Sequence, residues 1–271
     1  MNEPSRENGV LEGILSIRAA LEYESRPVER CYIDREKVKK RDRKVLSLLD
    51  LLKEKRVPTE LCARETIDAF LAGFEGVGTT HGGVVAVCGK RTFLPYETLL
   101  QKTADAGGFC AVLDGIEDPF NFGYAVRNLY AAGAVGILIP ERNWMSASGV
   151  CARASAGATE MCPMAVLPTF EENGGMTQEQ FMKSLQKKGF LRVCAAKTGE
   201  CEELYSFEPE FPLCLFVGGE KRGISPDFVK HCDCVVCIPY ASEVRYSLPA
   251  ATTAAVFGFY LENKRKTNRS Y

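Results

Sequence analysis

Residues 109–127 read FCAVLDGIEDPFNFGYAVR. Phe109 to Leu113 is an apolar run of strand length, and a polar loop from Asp114 to Asp118 ends it. Asn121 to Ala132 then has helical spacing, closed by Gly133. Asn121 is the candidate N-cap. Gly123 and Arg127 share a helix face, so Gly123 would leave room for a ligand and Arg127 could reach a phosphate over it; the plain alternative is an ordinary capped helix with a surface arginine. A strand, a loop and a helix in that order make one βα unit.

Working outward, the alternation continues. Val135–Ile139 is the next strand, ended by Pro140. Met164–Leu167, Leu191–Ala196, Leu213–Val217 and Val235–Ile238 read as further strands. Gln178–Lys187, Pro226–Lys230 and Leu248–Lys264 read as helices, with Pro249 in the first turn of the last. The expected fold class is α/β with a mostly parallel sheet covered on both faces, and ligands in such sheets sit outside the carboxyl ends of the strands.

Upstream, residues 10–22 have helical spacing, Val28–Ile33 reads as a strand and Val45–Leu52 as a helix. Thr59–Cys62 is a strand, Ile67–Leu71 a short helix and Val84–Cys88 a buried strand after His81-Gly82-Gly83. The expected organisation is a small α/β domain over 1–92, a linker over 93–106 within which Tyr96–Ala104 is helix-like, and a second domain over 107–271.

The chain has 271 residues, 46 % hydrophobic, with a net charge of −1. Its apolar runs are too short to span a bilayer, and the polar Met1–Asn8 does not read as a signal peptide, so a cytoplasmic protein is expected. A near-neutral chain does not coat nucleic acid non-specifically. Local patches would have to serve: Arg35, Lys37, Lys39, Lys40, Arg41, Arg43 and Lys44, or Lys264, Arg265, Lys266 and Arg269. The plain alternative for each is a solvated surface. Twelve cysteines are scattered through apolar runs, where free thiols act as small hydrophobes. His231, Cys232, Cys234 and Cys237 lack a second ligand pair, so no metal is expected.

Two further junctions carry chemistry. Gly218-Gly219-Glu220-Lys221-Arg222-Gly223-Ile224 follows one strand; Ile238-Pro239-Tyr240 through Ser247-Leu248-Pro249 leads into the final helix. The glycines permit tight turns, but neither a GxGxxG fingerprint nor a P-loop is present, which argues against a dinucleotide-dependent oxidoreductase.

In order, these segments resemble the TrmH/SpoU-like methyltransferases of the SPOUT superfamily. Asp118-Pro119-x-Asn121-x-Gly123-x-x-x-Arg127 is similar to the first family motif. Gly218-x-Glu220-x-x-Gly223-Ile224 resembles the second, and Ile238-Pro239 with Ser247-Leu248 the third. Ala154-Ser155-Ala156-Gly157-Ala158 looks like a further family segment. Gly13 and His81-Gly82-Gly83-Val84-Val85-Ala86 resemble the family's ribosomal-protein-like substrate-binding domain.

The resemblance implies a C-terminal trefoil knot, S-adenosyl-L-methionine as cofactor, a homodimer, and an RNA substrate (rRNA or tRNA) methylated at the ribose 2'-hydroxyl. It places cofactor contacts at Gly218, Ile238 and Leu248, and the active site at Asn121, Arg127, Glu220 and Ser247. The chain departs from the pattern where Pro249 replaces an Asn, where Gly219 replaces a frequent Asn, and where the stretch before Ser247 is one residue longer. The alternative is a SPOUT-like RNA-binding protein without catalysis, which Pro249 favours and the retained Arg127 disfavours.

Overall fold

The computed structural model describes residues 9–72, 81–140, 148–170, 176–197, 200–244 and 246–268. Met1–Asn8 and Arg269, named above, lie outside them. The chain forms two compact units.

The first unit contains β1 (Gly9–Glu12), α1 (Ile14–Tyr23), β2 (Val28–Asp34), α2 (Arg35–Lys39), α3 (Arg43–Glu54), β3 (Thr59–Cys62), α4 (Arg64–Leu71) and β4 (Val84–Cys88). Its sheet has the order β1-β4-β2-β3, with β4 antiparallel to both neighbours. Residues 10–12, expected to start a helix, belong instead to strand β1. Pairing with β4 overrides their helical spacing, and Gly13, at φ 80°, turns the chain before α1 begins. Leu11, Ile17, Ile33, Leu48 and Leu52 fill the core of this unit. His81 is buried at the entry to β4. Its Nδ1 accepts from the Gly83 N–H at 3.1 Å, so Nε2 carries the proton and donates to Asp68 at 2.8 Å.

The second unit contains α5 (Tyr96–Asp105), β5 (Phe109–Asp114), α6 (Pro119–Ala131) and β6 (Gly136–Ile139). Further along the chain, α7 (Ser148–Ala154) and α8 (Ala158–Met161) group with the first unit. The second unit resumes with β7 (Met164–Val166), α9 (Gln178–Lys187), β8 (Leu191–Ala195), β9 (Glu202–Glu203), β10 (Leu213–Gly218), α10 (Pro226–His231), β11 (Cys234–Cys237) and α11 (Ala250–Asn268). Its seven strands run in the order β7-β6-β5-β10-β8-β11-β9, and every pairing is parallel. Phe181, Phe216 and Phe228 pack edge-on or tilted against one another in its core.

Two expectations about organisation need correction. Residues 93–106 were expected to link domains and to hold a helix over Tyr96–Ala104; the helix is there as α5, but its Leu99 and Leu100 are fully buried in the core of the second unit. Residues 148–161 were expected within the second domain, yet they pack in the first unit. There Gly157, at φ 89°, lets α8 meet α1: a Cβ at 157 would sit 2.9 Å from the Leu15 carbonyl oxygen. A buried ion pair ties the same segment down. Arg26 donates to Glu160 through Nε at 3.0 Å and Nη2 at 2.8 Å, and the two side chains are only 2 % and 0 % exposed. Ser25 Oγ also donates to Glu160.

The cysteines are mostly buried thiols, and burial pushes those of Cys31 and Cys88 up to about 12. The expectation of free thiols fails at one pair. Cys201 and Cys237 form a disulfide with Cα atoms 5.8 Å apart, which ties the residue before β9 to the last residue of β11. Among the described residues, no helix is long and apolar enough to cross a membrane.

Candidate active site

Three adjacent strands, β10, β8 and β11, end on the same edge of the sheet, and a cleft of about 310 Å³ opens there. This is where a parallel sheet leaves ligand space. At the opposite end, Arg192 and Asp233 knit β8 to β11. The Arg192 backbone N–H and Nε both donate to Asp233, and the guanidinium holds that carboxyl below its usual range.

Gly218 ends β10 and lines the cleft. The next loop folds back on itself and onto the end of β5. Gly219 donates to the Asp114 carbonyl at 2.7 Å, and Gly223 donates to the Gly219 carbonyl at 3.0 Å. A Cβ at position 219 would lie 1.8 Å from the Gly115 carbonyl oxygen, a separation no side chain can occupy. The glycine that departs from the family's frequent Asn is therefore required by the backbone packing of this chain.

Asn121 does not cap α6. Asp118 does, accepting from the Asn121 N–H at 2.9 Å, with Pro119 in the first turn. A proline there loses no helix bond, and an aspartate before it satisfies a free N–H. The Asn121 side chain is thus released for other work. Its Nδ2 donates to Glu220 Oε1 at 2.7 Å, joining the first motif to the second. Glu220 lines the cleft and Asn121 does not.

Arg127 lies six residues further along α6, on a different side of the helix. It is exposed and is not part of the cleft wall. Nearby, Lys221 and Arg222 share Glu117, at 3.0 and 3.8 Å.

Ile238, Ser247 and Leu248 all face the cleft. The Leu248 N–H donates to the Tyr240 hydroxyl at 3.1 Å, which closes the loop between them. Pro249 sits just before α11 and not in its first turn; its carbonyl accepts from Thr252 and Thr253. The structure therefore gathers Gly218, Glu220, Ile238, Ser247 and Leu248 around one cleft, attaches Asn121 to it through Glu220, and leaves Arg127 off its wall. Sequence reading missed Lys197, Tyr240 and Phe257, which also line it. Tyr240 was adjacent to the third motif; nothing in the sequence distinguishes Lys197.

Residues 108–259 match the SpoU rRNA Methylase family, and residues 10–94 match the family described as RNA 2'-O ribose methyltransferase substrate binding. The chain belongs to the SpoU rRNA methylase family. Among relatives of this SpoU methylase is the 23S rRNA (guanosine-2'-O-)-methyltransferase RlmB of Pseudomonas putida, 27 % identical over 95 % of this chain and 97 % of the relative. An uncharacterized tRNA/rRNA methyltransferase of Archaeoglobus fulgidus is 31 % identical over 64 % of this chain and 72 % of the relative. The fold is similar to that of the SpoU methyltransferase AviRb from Streptomyces viridochromogenes in complex with the cofactor AdoMet. That structure has a TM-score of 0.73 and 21 % identity, covering 96 % of this chain and 92 % of the other. The α/β fold with a parallel sheet is thus that of the SpoU methyltransferases.

Proposed function

We infer that this SpoU methylase transfers a methyl group from S-adenosyl-L-methionine to a ribose 2'-hydroxyl of ribosomal RNA. It is an S-adenosylmethionine-dependent RNA 2'-O-methyltransferase. The observation that carries the reading is the Asn121–Glu220 hydrogen bond on the rim of the cleft, because it unites the first two family motifs at one place.

The cleft fits the cofactor. Its volume falls at the lower end of the roughly 300–1,000 Å³ typical of small-ligand sites. Backbone at Gly218, Ile238 and Leu248 would hold the adenosine, and the Glu220 carboxylate offers an anion to a positively charged sulfonium. When bound, the cofactor supplies an activated methyl group. Asn121 orients Glu220. Ser247, exposed and lining the cleft, is assigned to the incoming ribose. Arg127 is assigned the RNA phosphate beside the target ribose and the negative charge that develops on the 2'-oxygen. A guanidinium barely deprotonates, so Arg127 is a clamp and not the base.

We assign RNA binding to the first unit, through the turn between α2 and α3. Lys40, Arg41, Arg43 and Lys44 are exposed there, and among the described residues none of their side chains is ion-paired. The C-terminal cluster is a weaker candidate: Lys264 pairs with Glu208, and Arg265 with Glu262. Replacing Lys40, Arg41 and Lys44 together with Gln should weaken RNA binding and flatten its dependence on log salt by about 2–3, near one unit per lost phosphate contact. Filter binding across a salt series measures this, and an unchanged slope would remove the turn from the RNA surface. A homodimer is proposed as well; Phe120 and Tyr124, exposed four residues apart on α6, and exposed Phe259 on α11 support it with apolar surface on the second unit. With ribosomal RNA as the proposed substrate, a cytoplasmic location is proposed too.

The direct test uses S-adenosylmethionine with a labelled methyl group and total RNA from cells lacking the gene, followed by digestion to nucleosides. Labelled 2'-O-methylnucleoside from ribosomal RNA is expected. Label on a base, or no label despite measured cofactor binding, would overturn the assignment; the second outcome favours an RNA-binding protein without turnover.

A further inference from the structure

We propose that Lys197 binds the α-carboxylate of the cofactor's methionyl tail, with Tyr240 as the platform that holds the ammonium in place. The proposal deepens the function above and rests on the cleft being the cofactor site.

Lys197 follows the carboxyl end of β8 and lines the cleft. Its Nζ lies 4.3 Å from the centroid of the Tyr240 ring. An ammonium within about 6 Å of an aromatic face is attracted by the ring's electron density. The ring in turn is fixed at its far end, because the Tyr240 hydroxyl accepts the Leu248 N–H. A flexible lysine stem is thereby steered to one wall of the cleft, and among the described residues no carboxylate pairs with it. Glu220 also lines the cleft and supplies the opposite charge. S-adenosylmethionine carries positive charge at its sulfonium and ammonium and negative charge at its carboxylate. A cleft furnished with one carboxylate and one unpaired ammonium complements that distribution, and the two groups together orient the tail. A lysine whose charge is held by a π face and not by an acid stays available to an incoming anion. Tyr240 acts through Lys197 and Leu248 and is a positioning residue.

The test compares S-adenosylhomocysteine, which keeps the methionyl tail, with 5'-methylthioadenosine, which lacks it. Calorimetry on the full-length protein is expected to show Lys197→Met weakening S-adenosylhomocysteine by about tenfold or more, while methylthioadenosine changes less than about twofold, as loss of a single charge-assisted contact should. Lys197→Arg should recover much of the loss. Equal weakening of both ligands would mean that Lys197 only shapes the cleft, and would overturn the proposal. So would an unchanged affinity for S-adenosylhomocysteine, including the case in which Lys197→Met weakens RNA binding alone. Amide shifts in NMR spectra locate the ligand independently. Shifts at Gly218, Ile238 and Leu248 on adding S-adenosylhomocysteine keep the cleft as the site whatever Lys197 does; shifts confined elsewhere would overturn the site and the proposal together.

Discussion

Arg127→Ala is expected to lower the methyl-transfer rate by about 10²–10³-fold, the loss that follows when one preorganised charge is removed from a transition state. Cofactor affinity stays within about twofold, because Arg127 is exposed on α6 and does not line the cleft. Arg127→Lys keeps the positive charge but loses the forked geometry that matches a phosphate, so an intermediate rate is expected. Single-turnover methylation with saturating cofactor, paired with calorimetry, measures both quantities. If Ala and Lys variants run at nearly the wild-type rate, Arg127 has no part in the transition state. If cofactor affinity falls with the rate, its role lies in binding and the phosphate clamp is wrong.

The largest stability effect is expected at Arg26. Changing it to Met leaves Glu160 as a buried carboxylate that retains only the Ser25 hydroxyl of the donors described above. Breaking a buried pair on one side costs about 3–5 kcal/mol, since the remaining charge is desolvated without compensation. For a protein of this size, that corresponds to a fall in melting temperature on the order of 10 °C. The double change Arg26→Met with Glu160→Leu removes both charges and should recover most of the loss, because well-packed apolar residues can replace a buried pair at little cost. Differential scanning calorimetry distinguishes the cases. A single variant that melts with the wild type would show that the pair contributes nothing net.

Much of the second unit was readable because parallel strands buried on both faces appear as plain apolar runs. Phe109–Asp114 and Leu213–Gly218 are of this kind, and Gln178–Lys187 announces itself with a Thr177–Gln180 capping box. What was hidden depends on partners far along the chain. Residues 10–12 carry a helical pattern but pair with β4. The two-residue β9 is too short for any pattern, and the disulfide joins cysteines 36 residues apart in the chain. At the site, the family resemblance supplied the candidate residues, and the residues themselves did not assign the cap. Asp118 and Asn121 both favour helix starts, and only Pro119 in the first turn shows which one ends the strand-to-helix loop. Lys197 was illegible because its role depends on a ring more than forty residues away.

The placement of α7 and α8 in the first unit has a consequence during synthesis. The segment up to Thr92 leaves the ribosome without the helices that pack against β1 and α1, and with Arg26 and Glu12 still waiting for Glu160 and Arg153. Roughly 70 more residues must be made before residue 161 appears, a delay of about 4–14 s at ordinary elongation rates. Through that interval the nascent first unit holds an incomplete apolar surface, so it is the stretch on which a chaperone or a protease would act first.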